Sequence, residues 1–253
     1  MKNVMILTGA GQIGMAIARR MGYGMKIVIG DKRPENAQTI AKVMNDAGFD
    51  VIPVEMDLSS RVSIQNMIAE AQKYGDITML VNAAGVSPSQ APIEAILKVD
   101  LYGTAVLLEE VGKVIAPGGV GVTISSQSGH RMKQLTPEED EQLACTSTEE
   151  LLNLPLLQPE NIRDTLHAYQ LAKRCNEKRV MAESVKWGEK GARINSKNMF
   201  VKCPAGRPGT ADEVANVAEL LMSDKGAFIT GADFLIDGGA TASYFYGPLK
   251  PEV

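Results

Sequence analysis

The chain has 253 residues, 45% hydrophobic and 22% charged, a globular balance in a chain long enough to bury a core without staples. Lys plus Arg total 26 against 30 Asp plus Glu, a net charge of −4 that argues against a nucleic-acid partner, and no run of 18 apolar residues reads as a membrane span. Three scattered cysteines (Cys145, Cys175, Cys203) without C-x-x-C spacing, and only two histidines, argue against a disulfide framework and a zinc-dependent dehydrogenase.

Short apolar runs alternate with helix-period segments, the pattern of βαβ units around a parallel sheet. Val4-Met5-Ile6-Leu7 opens the first strand, 4–8, and is too short for a signal-peptide core. A helix follows with Ile13, Ala16, Ile17 and Met21 on one face, ending at Gly22 and Gly24. Further strands are expected at 25–29, 51–55, 77–81, 120–125, 192–195 and 234–236, with helices near 35–47, 61–73, 91–116, 164–187 and 211–223. No repeat or linker interrupts the series. The expectation is one domain over 1–253, a Rossmann-type doubly wound parallel sheet, in a cytoplasmic, metal-independent α/β protein.

One region breaks the rhythm. Residues 130–166 separate a strand from a long helix where α/β connections usually take about 2–6 residues. Thr136-Pro137-Glu138-Glu139 and Thr148-Glu149-Glu150 read as helix starts, so the acidic run 138–141 is a solvated helix N-terminus. This helical insertion is expected to fold over the carboxyl ends of the strands, where ligands bind in open α/β sheets. Its Leu151, Leu152, Leu154, Leu156 and Leu157 either line a hydrophobic substrate pocket or form the insertion's own core.

Gly9, Gly11 and Gly14 make G-x-G-x-x-G between the first strand and the first helix, where missing side chains and free helix N–H groups suit a pyrophosphate. Gln12 and Ile13 complete that cofactor turn. Asp31 follows the second strand, 17 residues after Gly14, and an acid there accepts both adenosine ribose hydroxyls while repelling a 2′-phosphate. Asp31 therefore favours NAD, with Lys32 and Arg33 leaving NADP as the less favoured alternative. Tyr169 and Lys173 stand four apart on one helix face, where an ammonium beside the phenol favours the phenolate and makes Tyr169 a candidate acid/base.

These motifs together resemble the short-chain dehydrogenase/reductase family from Lys2 to about Gly239. The glycine turn is one residue shorter between its first two glycines than in many members. Asp57-Leu58 resembles the pair that contacts adenine, and Asn82-Ala83-Ala84-Gly85 resembles the cofactor-binding N-A-G sequence. Ser126 falls on the catalytic serine, and Tyr169-Gln-Leu-Ala-Lys173 on the catalytic Y-x-x-x-K. Arg193-Ile194-Asn195, Gly206-Arg207-Pro208-Gly209 with Glu213-Val214-Ala215, Phe228-Ile229-Thr230-Gly231 and Asp237-Gly238-Gly239 resemble later landmarks. The resemblance implies an oxidoreductase that binds NAD(P) and interconverts a secondary alcohol and a ketone. Tyr169 would exchange the proton, Lys173 hold the nicotinamide ribose, and Ser126 hydrogen-bond the substrate oxygen. It also implies a small-molecule substrate and a homo-oligomer, a dimer or tetramer. His130 and His167 read as polar wall or surface residues.

The chain departs from the family in several places. Asp100 stands where the family has an asparagine of the proton relay, and an ionised aspartate cannot donate a hydrogen bond. Gly85 and Asp100 are only 15 apart, so the intervening helix is trimmed, while Ser126 and Tyr169 are 43 apart because of the insertion. After Asn195 the Pro-Gly turn and substrate loop are missing, and Ser196-Lys197-Asn198-Met199-Phe200 follows at once. Either the loop is genuinely deleted or residues are missing at this jump, and the second reading predicts that Ser196 and Lys197 are not bonded neighbours. Open readings of the substrate are a hydroxysteroid or bile acid, and a sugar, polyol or ketoacid. A non-catalytic nucleotide sensor on the same fold is the alternative of another class.

Overall fold

Val4, Met5, Ile6 and Leu7 have no exposed surface, because the strand they form is covered on both faces. The computed structural model describes residues 2–199, 205 and 207–246; Phe200, Cys203 and Gly206 lie outside the described residues. Val4 and Ile6 pack into one core with Ile64, Met67, Val106 and Trp187, and Met5 and Leu7 into the other with Ile17, Ala41 and Ala218. The two cores lie on opposite faces of one sheet.

Its strands are β1 (Lys2–Thr8), β2 (Lys26–Asp31), β3 (Asp50–Glu55), β4 (Gly75–Asn82), β5 (Val120–Ile124), β6 (Arg193–Met199) and β7 (Asp233–Ile236). They pair in parallel in the order β3-β2-β1-β4-β5-β6-β7. The connecting helices are α1 (Gln12–Met21), α2 (Pro34–Asp46), α3 (Arg61–Gln72), α4 (Ile93–Ile96), α5 (Thr104–Val114), α6 (Pro137–Cys145), α7 (Thr165–Glu189), α8 (Ala211–Met222) and α9 (Ala240–Tyr246). The strand order reverses between β1 and β4, which opens a crevice at their carboxyl ends. Seven parallel strands with helices on both faces match the expected fold class. Cys145 and Cys175 are free thiols, and no described helix is long and apolar enough to cross a membrane.

Three expectations are corrected. The helix expected at 91–116 carries a π-helical stretch, Leu97–Gly103, between α4 and α5. Gly103 sits where a Cβ would lie 2.2 Å from the Leu58 carbonyl oxygen, so the chain there is pressed against the end of β3's loop. The expected break after Ser196 is absent: β6 runs through Ser196 and Lys197, which pair with Thr123 and Ile124 of β5 and with Asp233 and Phe234 of β7. The two residues are consecutive in one strand.

The third correction concerns how far the insertion reaches: it packs against Tyr169 and Val86 but does not extend to the crevice at the β1–β4 switch. Leu143, Leu151, Leu157 and Ile162 are buried against Ile96, Leu101, Ala105, Leu171 and Cys175, so it lies across the outer flank of α5 and α7. None of its residues lines the crevice at the β1–β4 switch. Polar contacts anchor it there. Arg174 and Lys178 of α7 bind Asp140 at 2.6–2.9 Å, and Arg61 of α3 binds Glu149 at 2.7 Å as well as Glu109 and Glu110 of α5. Thr148 donates to Glu109 at 2.5 Å. Partial burial works to raise the Glu109 carboxyl, yet Lys113, Thr148 and Arg61 hold it down to about 2, below its ordinary 4.5. Its contribution to stability is therefore complete above pH 4.5 and is lost as pH falls toward 2. Glu109→Gln should lose on the order of 1–3 kcal/mol at neutral pH and flatten stability over that acid range, measured by urea unfolding at several pH values.

Candidate active site

A cleft of about 570 Å³ opens at the carboxyl ends of β1 to β4. Its floor needs glycine. Gly9 has φ +84°, and a Cβ there would lie 2.7 Å from the Ala84 backbone, so the turn after β1 packs directly on the turn after β4. Gly14 leaves no room either, with Leu7 Cδ1 at 2.8 Å from a Cβ, which lets α1 seat on β1. Gly11 differs: nothing lies within 4 Å of its Cβ position, and the space opens into the cleft. Gly11 is the N-cap of α1 without a side-chain cap, and no acid stands in the first turn. The helix thus presents uncompensated N–H groups and positive potential to the cleft, where an anion is stabilised.

Asp31 lines the same cleft at the end of β2. Its Oδ2 accepts from the Ala10 amide at 3.0 Å and its Oδ1 from the Arg33 amide at 2.9 Å, which fixes the carboxylate. Asp57 stands opposite, ion-paired to Lys32 at 2.8 Å. Burial works to raise the Asp57 carboxyl, but Lys32 and Ser59 hold it below its usual range. Leu58, Ala83, Ala84 and Gly85 complete this wall. Gln12 and Ile13 belong to the first turn of α1 and do not line the cleft. Asn82 departs from its expected place. It is buried, accepts from the Thr8 hydroxyl at 2.7 Å and faces Thr104, so it joins β1 to β4 beneath the cleft.

Behind Gly85 lies a second set of groups. Asp164 caps α7 by accepting from the His167 amide at 2.7 Å, and the helix then carries Tyr169 and Lys173 one turn apart. The Lys173 ammonium is 5.1 Å from the centroid of the Tyr169 ring and 3.4 Å from Asp100 Oδ2. Lys173 is 4% exposed and Asp100 fully buried. Burial raises the Asp100 carboxyl, against the pull of Lys173 and the Val86 amide. Burial also works to lower Lys173, but the attraction of Asp100 prevails and keeps it cationic. Asp100 Oδ1 accepts from the Val86 amide at 2.8 Å, so one carboxylate ties the cleft wall to the lysine. A Cβ on Gly85 would lie 3.4 Å from Lys173 Nζ, so only a glycine's width separates the ammonium from the cleft.

The chain after β5 is joined to α7 by Ser125, whose hydroxyl donates to the Lys173 carbonyl at 3.1 Å. Ser126 is nearly buried, and its Oγ accepts from the Ser128 amide at 3.2 Å, leaving the O–H to be donated. The leucines at 151 and 157 are core, which removes them as support for a hydrophobic substrate. His167 accepts from the Arg163 amide at 3.3 Å and lines a separate cavity of about 610 Å³ between the insertion and α7.

Sequence reasoning missed two groups. Glu177, two turns along α7 from Tyr169, is 4% exposed, and burial together with Asp233 pushes its carboxyl up to about 8. Asp233 opens β7 and meets His130 at 2.8 Å. The four-residue spacing Tyr169-Lys173-Glu177 was the available signal for Glu177, since it puts all three on one side of α7.

Residues 2–137 match the family model described as short chain dehydrogenase, and residues 196–241 match one described as enoyl-(acyl carrier protein) reductase. The chain is 36% identical to the short-chain dehydrogenase/reductase bsc3 of Alternaria brassicicola, over 95% of this chain and 96% of that protein. It is 28% identical to the D-threitol dehydrogenase of Mycolicibacterium smegmatis, over 94% of this chain and 92% of that protein. Among solved structures, a short-chain dehydrogenase from Burkholderia cenocepacia J2315 in complex with NADP superposes with a TM-score of 0.75 at 20% identity. That match covers 94% of this chain and 97% of the other. The chain belongs to the short-chain dehydrogenase/reductase family of oxidoreductases, which use NAD(P).

Proposed function

We propose that the protein interconverts a secondary alcohol and a ketone, with Tyr169 as acid/base, Lys173 as the ammonium that favours its phenolate, and Ser126 as donor to the substrate oxygen. The observation that carries this reading is the buried Lys173 ammonium, set between the Tyr169 ring and Asp100 directly behind Gly85. The uncapped α1 terminus, the open space at Gly11 and the fixed Asp31 carboxylate fit a dinucleotide. Gly9, Gly11, Asp31, Asp57, Leu58, Ala83, Ala84 and Gly85 would hold it in the cleft, with Gln12, Ile13 and Gly14 shaping the helix turn beneath and Asn82 bracing the floor. When bound, the nicotinamide supplies the hydride acceptor or donor.

In alcohol oxidation the Tyr169 phenolate takes the hydroxyl proton, and in ketone reduction the phenol returns it. Ser126 stabilises charge on the substrate oxygen, worth a few kcal/mol in sites of this kind. Asp100 keeps Lys173 charged but places a negative charge near the phenolate, so the two effects oppose one another. Asp31 supports NAD as cofactor, because a carboxylate there repels a 2′-phosphate, and Lys32 is drawn away to Asp57. With Leu151 and Leu157 in the core, and a polyol dehydrogenase among the relatives, the substrate reading is a small hydroxylated compound.

Tyr169→Phe should leave NADH binding within a few-fold, read by fluorescence, while kcat falls by about 10²–10⁴-fold. Turnover near wild type at saturating cofactor would remove Tyr169 from the acid/base role. NADH fluorescence with no turnover of wild type on polyol, sugar, ketoacid or steroid panels would favour a nucleotide sensor. For the cofactor, kcat/KM should be at least tenfold higher with NAD(H) than with NADP(H), and the reverse order would transfer the 2′-phosphate to Lys32 and Arg33.

A further inference from the structure

We infer that His130, Glu177 and Asp233 form a binding site for a divalent transition-metal ion, which fastens the serine-bearing turn to the catalytic helix and to β7. His130 ends the short turn that begins after Ser126. Its Nε2 lies 2.8 Å from Asp233 Oδ2 and 3.2 Å from Glu177 Oε1. One ring nitrogen therefore faces two carboxylate oxygens, and a single proton on it serves only one of them. The three donor atoms lie within 4.8 Å of one another. An ion of the zinc class takes imidazole nitrogen and carboxylate oxygen at about 2.0–2.2 Å, so donors around it stand roughly 3–3.5 Å apart. Small rotations of the side chains reach that spacing.

Glu177 points to a ligand independently. It is 4% exposed, and among the described residues its Oε1 has no hydrogen-bond partner beyond the His130 nitrogen, which stands closer to Asp233. A buried carboxylate oxygen left in that state is costly, and a cation relieves it. The chain backbone presses the group into place, since a Cβ on Gly129 would lie 2.7 Å from Oε1. The neighbouring cations are engaged elsewhere. Arg174 binds Asp140 at 2.6 Å and reaches Glu177 only at 3.7 Å, and Lys178 also binds Asp140. Asp233 Oδ1 accepts from the Ser196 hydroxyl at 2.5 Å, an outer contact of the kind that orients a metal ligand.

Access is open from one side. His130 is 25% and Asp233 19% exposed at the side chain, and His130 borders a cavity of about 260 Å³. Three protein ligands with an open side leave the remaining positions to water. Glu177 follows Tyr169 by eight residues, about 12 Å of helix rise, so the ion stabilises the site and stays away from the reacting oxygen. This departs from the metal-free expectation of the sequence, where two lone histidines gave no ligand spacing.

The test is to strip the purified protein with a chelator and titrate Zn²⁺ by calorimetry and Co²⁺ by visible absorption, with thermal unfolding alongside. The expected result is one ion per chain at micromolar affinity, a visible Co²⁺ band, and a Tm that climbs with Zn²⁺ concentration. His130→Ala and Glu177→Gln should each weaken binding by about 10–100-fold and abolish the Tm rise. NADH binding reports whether each variant folds, and His130→Ala, at a partly exposed position, carries the test if Glu177→Gln does not. No saturable binding up to about 100 µM, or equal binding by wild type and folded variants, would overturn the proposal and leave the cluster a proton-sharing clasp.

Discussion

An ammonium group withdrawn from water needs a compensating charge, and much of this protein's site is arranged around meeting that need for Lys173. Its counterion, Asp100, is itself fully buried, and the pair is joined to the cleft wall through the Val86 amide. Removing one member of such a pair costs about 3–5 kcal/mol, because the other is left buried and unpaired. The π-helical stretch Leu97–Gly103 belongs to the same arrangement, since it carries Asp100. Such stretches occur mostly as single turns and often at functional sites. One residue fewer there would rotate Asp100 by about 100° around the helix axis, away from the lysine. Gly85 is required for a matching reason, as any side chain there would press on both charges.

What was legible in the sequence was local. The glycine turn announces itself because Gly9, Gly11 and Gly14 fall within one short stretch directly after a strand, and Asp31 follows at the end of the next strand. The helical spacing of Tyr169 and Lys173 likewise needs no tertiary knowledge. Asn82 was misplaced because its partners, Thr8 and Thr104, are distant in sequence, and the motif alone does not say whether its side chain faces cleft or core. The π stretch left no trace in the apolar periodicity of 91–116. His130 was weighed alone, while its meaning lies in Glu177 and Asp233, 47 and 103 residues away.

The insertion shows how pattern and placement part company. Its helix starts were readable: Thr136 and Glu139 form the reciprocal cap at the head of α6. Its leucines were readable as apolar, and fully burying one such side chain stabilises by about 1.5–3 kcal/mol. Which surface they cover was not readable, because a flank of α5 and α7 satisfies them as well as a substrate pocket would. The charged contacts of Glu149, Thr148 and Asp140 decide the matter, and none of those partners is local.

That placement has a consequence for assembly. The apolar flank formed by Leu101, Ala105, Ala168, Leu171 and Cys175 is roofed by the chain's own leucines. A second copy approaching from that direction meets α6 and the carboxylates of its first turn, Glu138 and Glu139, instead of a bare helix pair. The border of the sheet is barer: β7 is its edge strand, and Leu235 there stands 40% exposed.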